Sequence, residues 1–263
     1  MSLARLTEEI AALLFPPRCQ VCGEMDDDLM CETCQDGIEF ITAPYCACCG
    51  VPLPPTGHAP ERCAECRQSR TFRGARAVGL HVGSLREAIL RYKFDGRRRL
   101  ARPLAEMLGG VFEAEQVEGL SLSAAAALVP VPLYPARRAW RGFDQAELLC
   151  RHLSELTALP TWPDVLARIL DTRPQVELSG RQRRENVRGA FEARKTYRLK
   201  GKSLILVDDV FTTGATLSEC ARVLRRAGAT EVYALTISRG APAWHPAALH
   251  TAPDRDRPAG RSP

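Results

Sequence analysis

Leu204-Ile205-Leu206-Val207 is an unbroken apolar run that ends abruptly in Asp208-Asp209. A run of this length predicts a strand covered on both faces, the kind found inside a parallel sheet. After Gly214 the period changes, and Leu217 to Ala227 spaces its apolar residues as an amphipathic helix does. The same succession occurs upstream. Ala125 to Val131 reads as a strand, Leu133 to Gly142 as a loop, and a helix opens at Gly142-Phe143-Asp144-Gln145-Ala146 with Ala146, Leu149 and Leu153 on its apolar face. Ala75 to Val82 reads as another strand, Leu85 to Phe94 as a helix stopped at Gly96, and Leu100 to Phe112 as a second helix. Glu231 to Ser238 reads as the last core strand. Strands alternating with helices predict an α/β fold, a parallel sheet flanked by helices.

Residues 18–67 break this pattern, having almost no hydrophobic periodicity. Too few apolar residues occur there for burial alone to hold the segment. Eight of the chain's eleven cysteines lie in it as four Cys-x-x-Cys pairs: Cys19/Cys22, Cys31/Cys34, Cys46/Cys49 and Cys63/Cys66. In a cytosolic protein that spacing argues for metal rather than disulfides. Zn²⁺ held by four thiolates supplies folding energy directly and leaves no open position for chemistry, so two structural sites are expected. The simplest pairing takes the cysteines in series; an interleaved pairing stays open, as does the role of Cys48. A small zinc module over residues 1–70 is therefore expected to begin with an amphipathic helix over residues 1–15 and to precede a domain over 71–240. The Ala/Pro/Arg-rich residues 241–263 read as a disordered tail.

Composition narrows the setting only a little. The net charge of +5 hints at acidic ligands without identifying a nucleic-acid binder. No stretch is long and apolar enough to span a membrane, and the N-terminal apolar run is broken by Glu8 and Glu9, so a cytoplasmic protein is expected.

Candidate chemistry gathers after the apolar run. Thr212, Thr213, Gly214, Ala215 and Thr216 form a hydroxyl-rich turn that opens a helix, where backbone N–H groups and the helix dipole favour an anion such as a phosphate. Carboxylates repel phosphate but accept from neutral hydroxyls, so Asp208 and Asp209 suit a ribose. A phosphorylated ribose satisfies both. Arg137, Arg138 and Arg141, on the loop after the 125–131 strand, suit further anionic groups. Residues 172–191 are polar and arginine-rich and read as either a mobile lid or a surface helix. Arg97, Arg98, Arg99 and Arg102 form another basic cluster, equally suited to a solvated helix end or an anion contact.

Val207-Asp208-Asp209-Val210-Phe211-Thr212-Thr213-Gly214-Ala215-Thr216 resembles the phosphoribosyl-pyrophosphate (PRPP) motif of type I phosphoribosyltransferases. The resemblance implies that Asp208 and Asp209 hold ribose hydroxyls, that Thr212–Thr216 wrap the 5′-phosphate, and that Arg137, Arg138 and Arg141 meet pyrophosphate with Mg²⁺. It also places a closing loop at residues 172–191. The cysteine-rich start, Tyr92-Lys93-Phe94-Asp95-Gly96, Pro130-Val131-Pro132, Arg141-Gly142-Phe143-Asp144-Gln145-Ala146 and Arg184-Glu185-Asn186-Val187-Arg188-Gly189-Ala190-Phe191 together resemble the ComF (ComFC) family of competence proteins. Asp144 stands where that family is expected to carry asparagine. Membership would imply a role in DNA uptake during natural transformation, beside single-stranded DNA, a helicase and DNA-processing proteins. Two readings remain: an enzyme transferring ribose 5-phosphate from PRPP to an unknown acceptor, with Asp208, Asp209 and Arg141 at the reacting centre, or a binding module without turnover.

Overall fold

The computed structural model describes residues 16–54, 61–67, 71–114, 116–117, 120–172 and 180–246, so the expected N-terminal helix and most of the expected tail lie outside the described residues. In chain order the main elements are α1 (Glu32–Asp36), β1 (Gly74–Leu80), α2 (Gly83–Phe94), α3 (Ala101–Ala114), β2 (Gln116–Val117), β3 (Leu120–Ser121) and β4 (Ala127–Pro130). They continue with α4 (Pro135–Arg141), α5 (Gln145–Thr157), β5 (Leu166–Arg168), α6 (Gly180–Val187), β6 (Phe191–Ala193), β7 (Ser203–Phe211), α7 (Ala215–Arg226) and β8 (Glu231–Arg239).

The expected strands assemble into one four-stranded parallel sheet in the order β1-β8-β7-β4. β7 has a hydrogen-bonded neighbour on each side, and Leu204 to Val207 are fully buried. Strand alternation sends their side chains to opposite faces. Ile205 and Val207 join Leu85, Ile89, Leu104, Leu149 and Leu153 from α2, α3 and α5. Leu204 and Leu206 join Leu217, Cys220 and Leu224 of α7. Full burial of one such side chain contributes about 1.5–3 kcal/mol, which is why an uninterrupted run marks the centre of the sheet.

Both sheet edges are covered. The 39–48 segment runs along β1, where Ile41 N donates to Val78 O at 3.0 Å, Leu80 N to Glu39 O at 2.8 Å and Ala75 N to Cys48 O at 2.8 Å. Beyond β4, Leu128 N donates to Pro160 O at 2.9 Å and Trp162 N to Leu128 O at 2.8 Å. These bonds occupy edge groups that would otherwise template pairing with another chain.

One expected loop is a helix. Residues 135–141, which carry Arg137, Arg138 and Arg141, form α4. Pro135 starts it with a pre-set φ, and Gly142 closes it in the left-handed conformation at φ +75°, donating to Arg138 O at 2.9 Å. Arginine is a good helix former, so its clustering carried no information against a helix. Of the expected lid or surface helix at 172–191, residues 173–179 lie outside the described residues and Gly180–Val187 form α6; an antiparallel ladder pairs Leu166 with Ala193 and Arg168 with Phe191. No described helix is long and apolar enough to cross a membrane.

Candidate functional site

The cysteines form two compact quartets, Cys19/Cys22/Cys31/Cys34 and Cys46/Cys49/Cys63/Cys66, with the sulfurs of each within 4.8 Å of one another. Sγ separations are 3.8 Å for Cys19–Cys34, 3.7 Å for Cys22–Cys31 and 3.7 Å for Cys49–Cys63. Sulfurs about 2.3 Å from a tetrahedral zinc lie about 3.8 Å apart, so the donors fit this ion. A disulfide would require about 2.05 Å. The pairing is therefore serial. Gly23 at φ +86° and Gly50 at φ +66° turn the two knuckles, and their N–H groups donate to Cys19 O at 3.0 Å and Cys46 O at 2.9 Å. Backbone N–H groups also point at the sulfurs: Val21 and Cys31 at Cys19 Sγ, both 3.4 Å, and Cys63 at Cys46 Sγ, 3.3 Å. All four positions being thiolate, neither centre has room for a substrate. Cys48 is buried outside the second quartet. Cys150 and Cys220 are buried helix residues whose thiols desolvation pushes well up, which makes them unreactive.

Asp208 and Asp209 lie inside β7 rather than beyond it, so alternation aims them to opposite faces. Asp209 is only 4% exposed, and its Oδ1 meets Lys93 Nζ at 2.7 Å. Its Oδ2 is buried with no hydrogen-bond partner among the described residues. Asp208 is partly exposed, accepts from Asp209 N at 2.9 Å, and has its pKa pushed up to about 8, first by desolvation and then by the charge of Asp209. Nearby, His81 Nδ1 and Ser238 Oγ share a hydrogen bond of 2.8 Å. Burial, then Lys93 and Arg86, lower the His81 pKa to about 4, which keeps the imidazole neutral at pH 7.

The hydroxyl-rich turn follows at once. Thr212 is exposed and Thr213 and Thr216 half-buried. Gly214 caps α7 at φ +74°, and a Cβ there would stand 2.5 Å from Phe211 Cζ. Only glycine fits this combination of conformation and close approach. Ala215 N donates to Thr213 Oγ1 at a long 3.4 Å, and the first-turn amides of α7 form the positive end of a 12-residue helix.

The three arginines of α4 separate. Arg141 feels Asp209 and Asp144, donates to Gln145 Oε1 at 2.5 Å, and keeps a buried Nε without a partner among the described residues. Desolvation lowers its pKa, an effect those two carboxylates oppose. Arg137 is engaged by Asp171 at 3.2 Å and by Thr172 O, and Arg138 by Glu147 at 3.0 Å. Asp144 spends its charge locally. It caps α5, with Oδ1 accepting from Ala146 N and Glu147 N at 3.1 Å each and Oδ2 from Leu133 N at 3.1 Å. An asparagine could accept at one of these oxygens only.

Lys93, His81, Ser238 and Arg239 were not among the expected site residues. The signal for Lys93 was present, because it lies four residues after Ile89, on the buried face of α2. Tyr92 beside it donates to Gln145 O at 2.8 Å and packs against the Phe143 ring at a tilt, centroids 5.4 Å apart, which joins the 92–96 and 141–146 segments.

Residues 10–72 match the double zinc ribbon domain and residues 161–246 the phosphoribosyl transferase domain. The chain is 33% identical over 213 residues to competence protein F of Haemophilus influenzae, an alignment covering 80% of this chain and 90% of that protein. It is 33% identical over 196 residues to the DNA utilization protein YhgH of Escherichia coli, covering 74% and 83%, and 29% identical over 223 residues to competence protein ComFC of Bacillus subtilis, covering 81% and 85%. Among solved structures it is similar to the glutamine PRPP amidotransferase of B. subtilis, with TM-score 0.35 and 23% identity, over 52% of this chain and 26% of that one. The UMP synthase of Leishmania donovani gives TM-score 0.34 and 16% identity, over 59% and 24%. The family assignment rests on the sequence matches: two zinc knuckles joined to a phosphoribosyltransferase-type sheet, aligned along most of their length with competence protein F, place this chain in the ComF family.

Proposed function

We propose that the carboxyl end of β7 binds PRPP or another 5-phosphorylated ribose. The observation that carries this reading is the buried, unpartnered Oδ2 of Asp209 at the same end of β7 as a glycine-capped, hydroxyl-rich helix start five residues on. One feature lacks a donor and the other offers donors, and a ribose hydroxyl with its neighbouring phosphate supplies what each needs. Lys93 holds Asp209 at its other oxygen, so the ligand meets a fixed carboxylate. A partly protonated Asp208 can both accept from and donate to a hydroxyl.

Transfer chemistry would use the same parts. Mg²⁺ bound with the diphosphate would neutralise charge on the leaving group. Arg141, whose Nε is unsatisfied, is the arginine of α4 best placed to meet developing negative charge, while Asp209 from one face of β7 and Asp208 from the other would fix a ribose lying across the end of the strand. Pyrophosphate departure would leave oxocarbenium character at the anomeric carbon. We further propose the cytoplasm as the setting, and the boundaries 1–70, 71–240 and 241–263 for the zinc module, the sheet domain and the tail.

A second reading, a module that binds single-stranded DNA or competence partners without turnover, draws on the rim. Trp140 is 72% exposed and Phe94 50% exposed, and Arg141 lies over the Phe94 ring at 5.4 Å. Bases stack on such surfaces. Isothermal titration with PRPP and Mg²⁺, on wild type and an Asp208→Asn/Asp209→Asn variant, tests the ribose site. The expected result is binding that the variant loses. A pyrophosphate-release assay across candidate acceptors then tests for turnover. Equal, negligible PRPP binding by both proteins, with single-stranded DNA bound by both, would overturn the first reading in favour of the second.

A further inference from the structure

Arg239 ends β8 and is 4% exposed. Register pairs it with Phe211 on one side and Leu80 on the other, so it stands at the carboxyl end of the sheet, beside the hydroxyl-rich turn. Its Nη2 donates to Cys49 Sγ at 3.3 Å, and its guanidinium lies 4.0 Å above the centre of the Phe211 ring. Nε and Nη1 are buried and without hydrogen-bond partners among the described residues. An isolated guanidinium in such a place is strongly unfavourable unless an opposite charge faces it. A zinc ion with four thiolates provides about two units of negative charge. Backbone N–H groups reach sulfurs of both centres, Cys19 Sγ from Val21 and Cys31 and Cys46 Sγ from Cys63; to the second centre Arg239 adds a charged side chain.

Phe211 carries the connection further. Its ring packs edge-on against Phe72 at 5.9 Å and leaves no room for a Cβ on Gly214. Contacts therefore run without a gap from the sulfur of Cys49, through Arg239 and Phe211, to the residue that caps α7.

We infer that Arg239 is the buried counter-cation of the second zinc centre, and that through it this metal, unlike the first, holds the Thr212–Thr216 turn in position. Arg239 is thus a positioning residue, acting on the turn through Phe211. Only the importance of the turn rests on the ribose-phosphate reading, and no measurement below uses that ligand.

The test follows zinc leaving the full-length, reduced, metal-loaded chain into a chromogenic chelator. Cys22→Ser and Cys63→Ser assign the release phases to the first and second centres. Arg239→Met should speed the second phase about tenfold or more, as loss of a partner in the outer shell of a metal does, while the first phase stays within about twofold and reports an intact fold. Arg239→Lys should fall between, keeping the charge without the fork. Hydrogen exchange at 211–216 should quicken in Arg239→Met and Cys63→Ser and stay unchanged in Cys22→Ser. Wild-type release from Arg239→Met, equal acceleration of both phases, or exchange at 211–216 that ignores the second centre would each overturn the inference. PRPP binding is a separate readout, so its failure would count against the proposed function alone.

Discussion

The sheet around β7 and the cysteine module beside it reach fixed shapes by different means. Leu204 to Val207 are 0% exposed and press on apolar side chains from both faces, so loss of water contact holds them. In the module, the buried positions along 19–49 are largely the cysteines themselves, with Val21, Met30 and Ile38 among them. Two thiolate quartets must do there what leucines do in the sheet. A stretch with no periodicity can therefore be as specific as one with a strong period, provided that it brings its own ion.

Removing the metal should separate the two regions most sharply. Structural zinc sites bind with roughly 10–16 kcal/mol of apparent free energy, so chelation under reducing conditions should abolish amide protection around Cys19–Cys34 while Leu204–Val207 at the centre of β7 stay protected. Loss of β7 protection at the same chelator concentration would show that the sheet has no stability of its own. The converse change is Leu206→Ala, which should destabilise by about 2–5 kcal/mol in denaturant titration and leave two zinc equivalents bound.

Smaller effects belong to the site where the regions meet. Gly214→Ala puts a side chain at φ +74° and against the Phe211 ring, so a loss of about 1–2 kcal/mol is expected from the backbone alone, together with weaker phosphate binding. Asp144→Ala should lose about 1 kcal/mol as a helix cap. Asp208 adds a pH dependence. Its folded pKa is raised to about 8 from an ordinary value of 3.8, so the folded state binds the proton more tightly than the unfolded one. The stabilisation is present in full below about pH 4 and is lost as pH rises through about 8. Asp208→Asn should flatten the stability profile across that window; an unchanged profile would mean that the carboxylate is well solvated.

The sequence is most legible where side chains repeat. The apolar run of β7, the amphipathic face of α7 and the glycine-turned cysteine knuckles are local patterns, and the structure keeps each of them. The ion pair between Lys93 and Asp209 joins residues 116 positions apart, and no local period announces it. The stretch that forms α4 reads as a loop because it follows a strand and is short, although Pro135 and Gly142 are ordinary helix boundaries. Arg239 falls one residue past the expected strand Glu231 to Ser238, which the structure extends to include it. Its meaning depends on Cys49, which the chain leaves behind 190 residues earlier.

The most direct test of the site is amide NMR of the full-length, zinc-loaded chain titrated with ribose 5-phosphate. Shifts should concentrate at Asp208, Asp209 and Thr212–Thr216 and be lost in Asp209→Asn. Shifts confined to the arginines at 97–99 or to the cysteine module, with the turn silent at saturation, would contradict the ribose-phosphate reading.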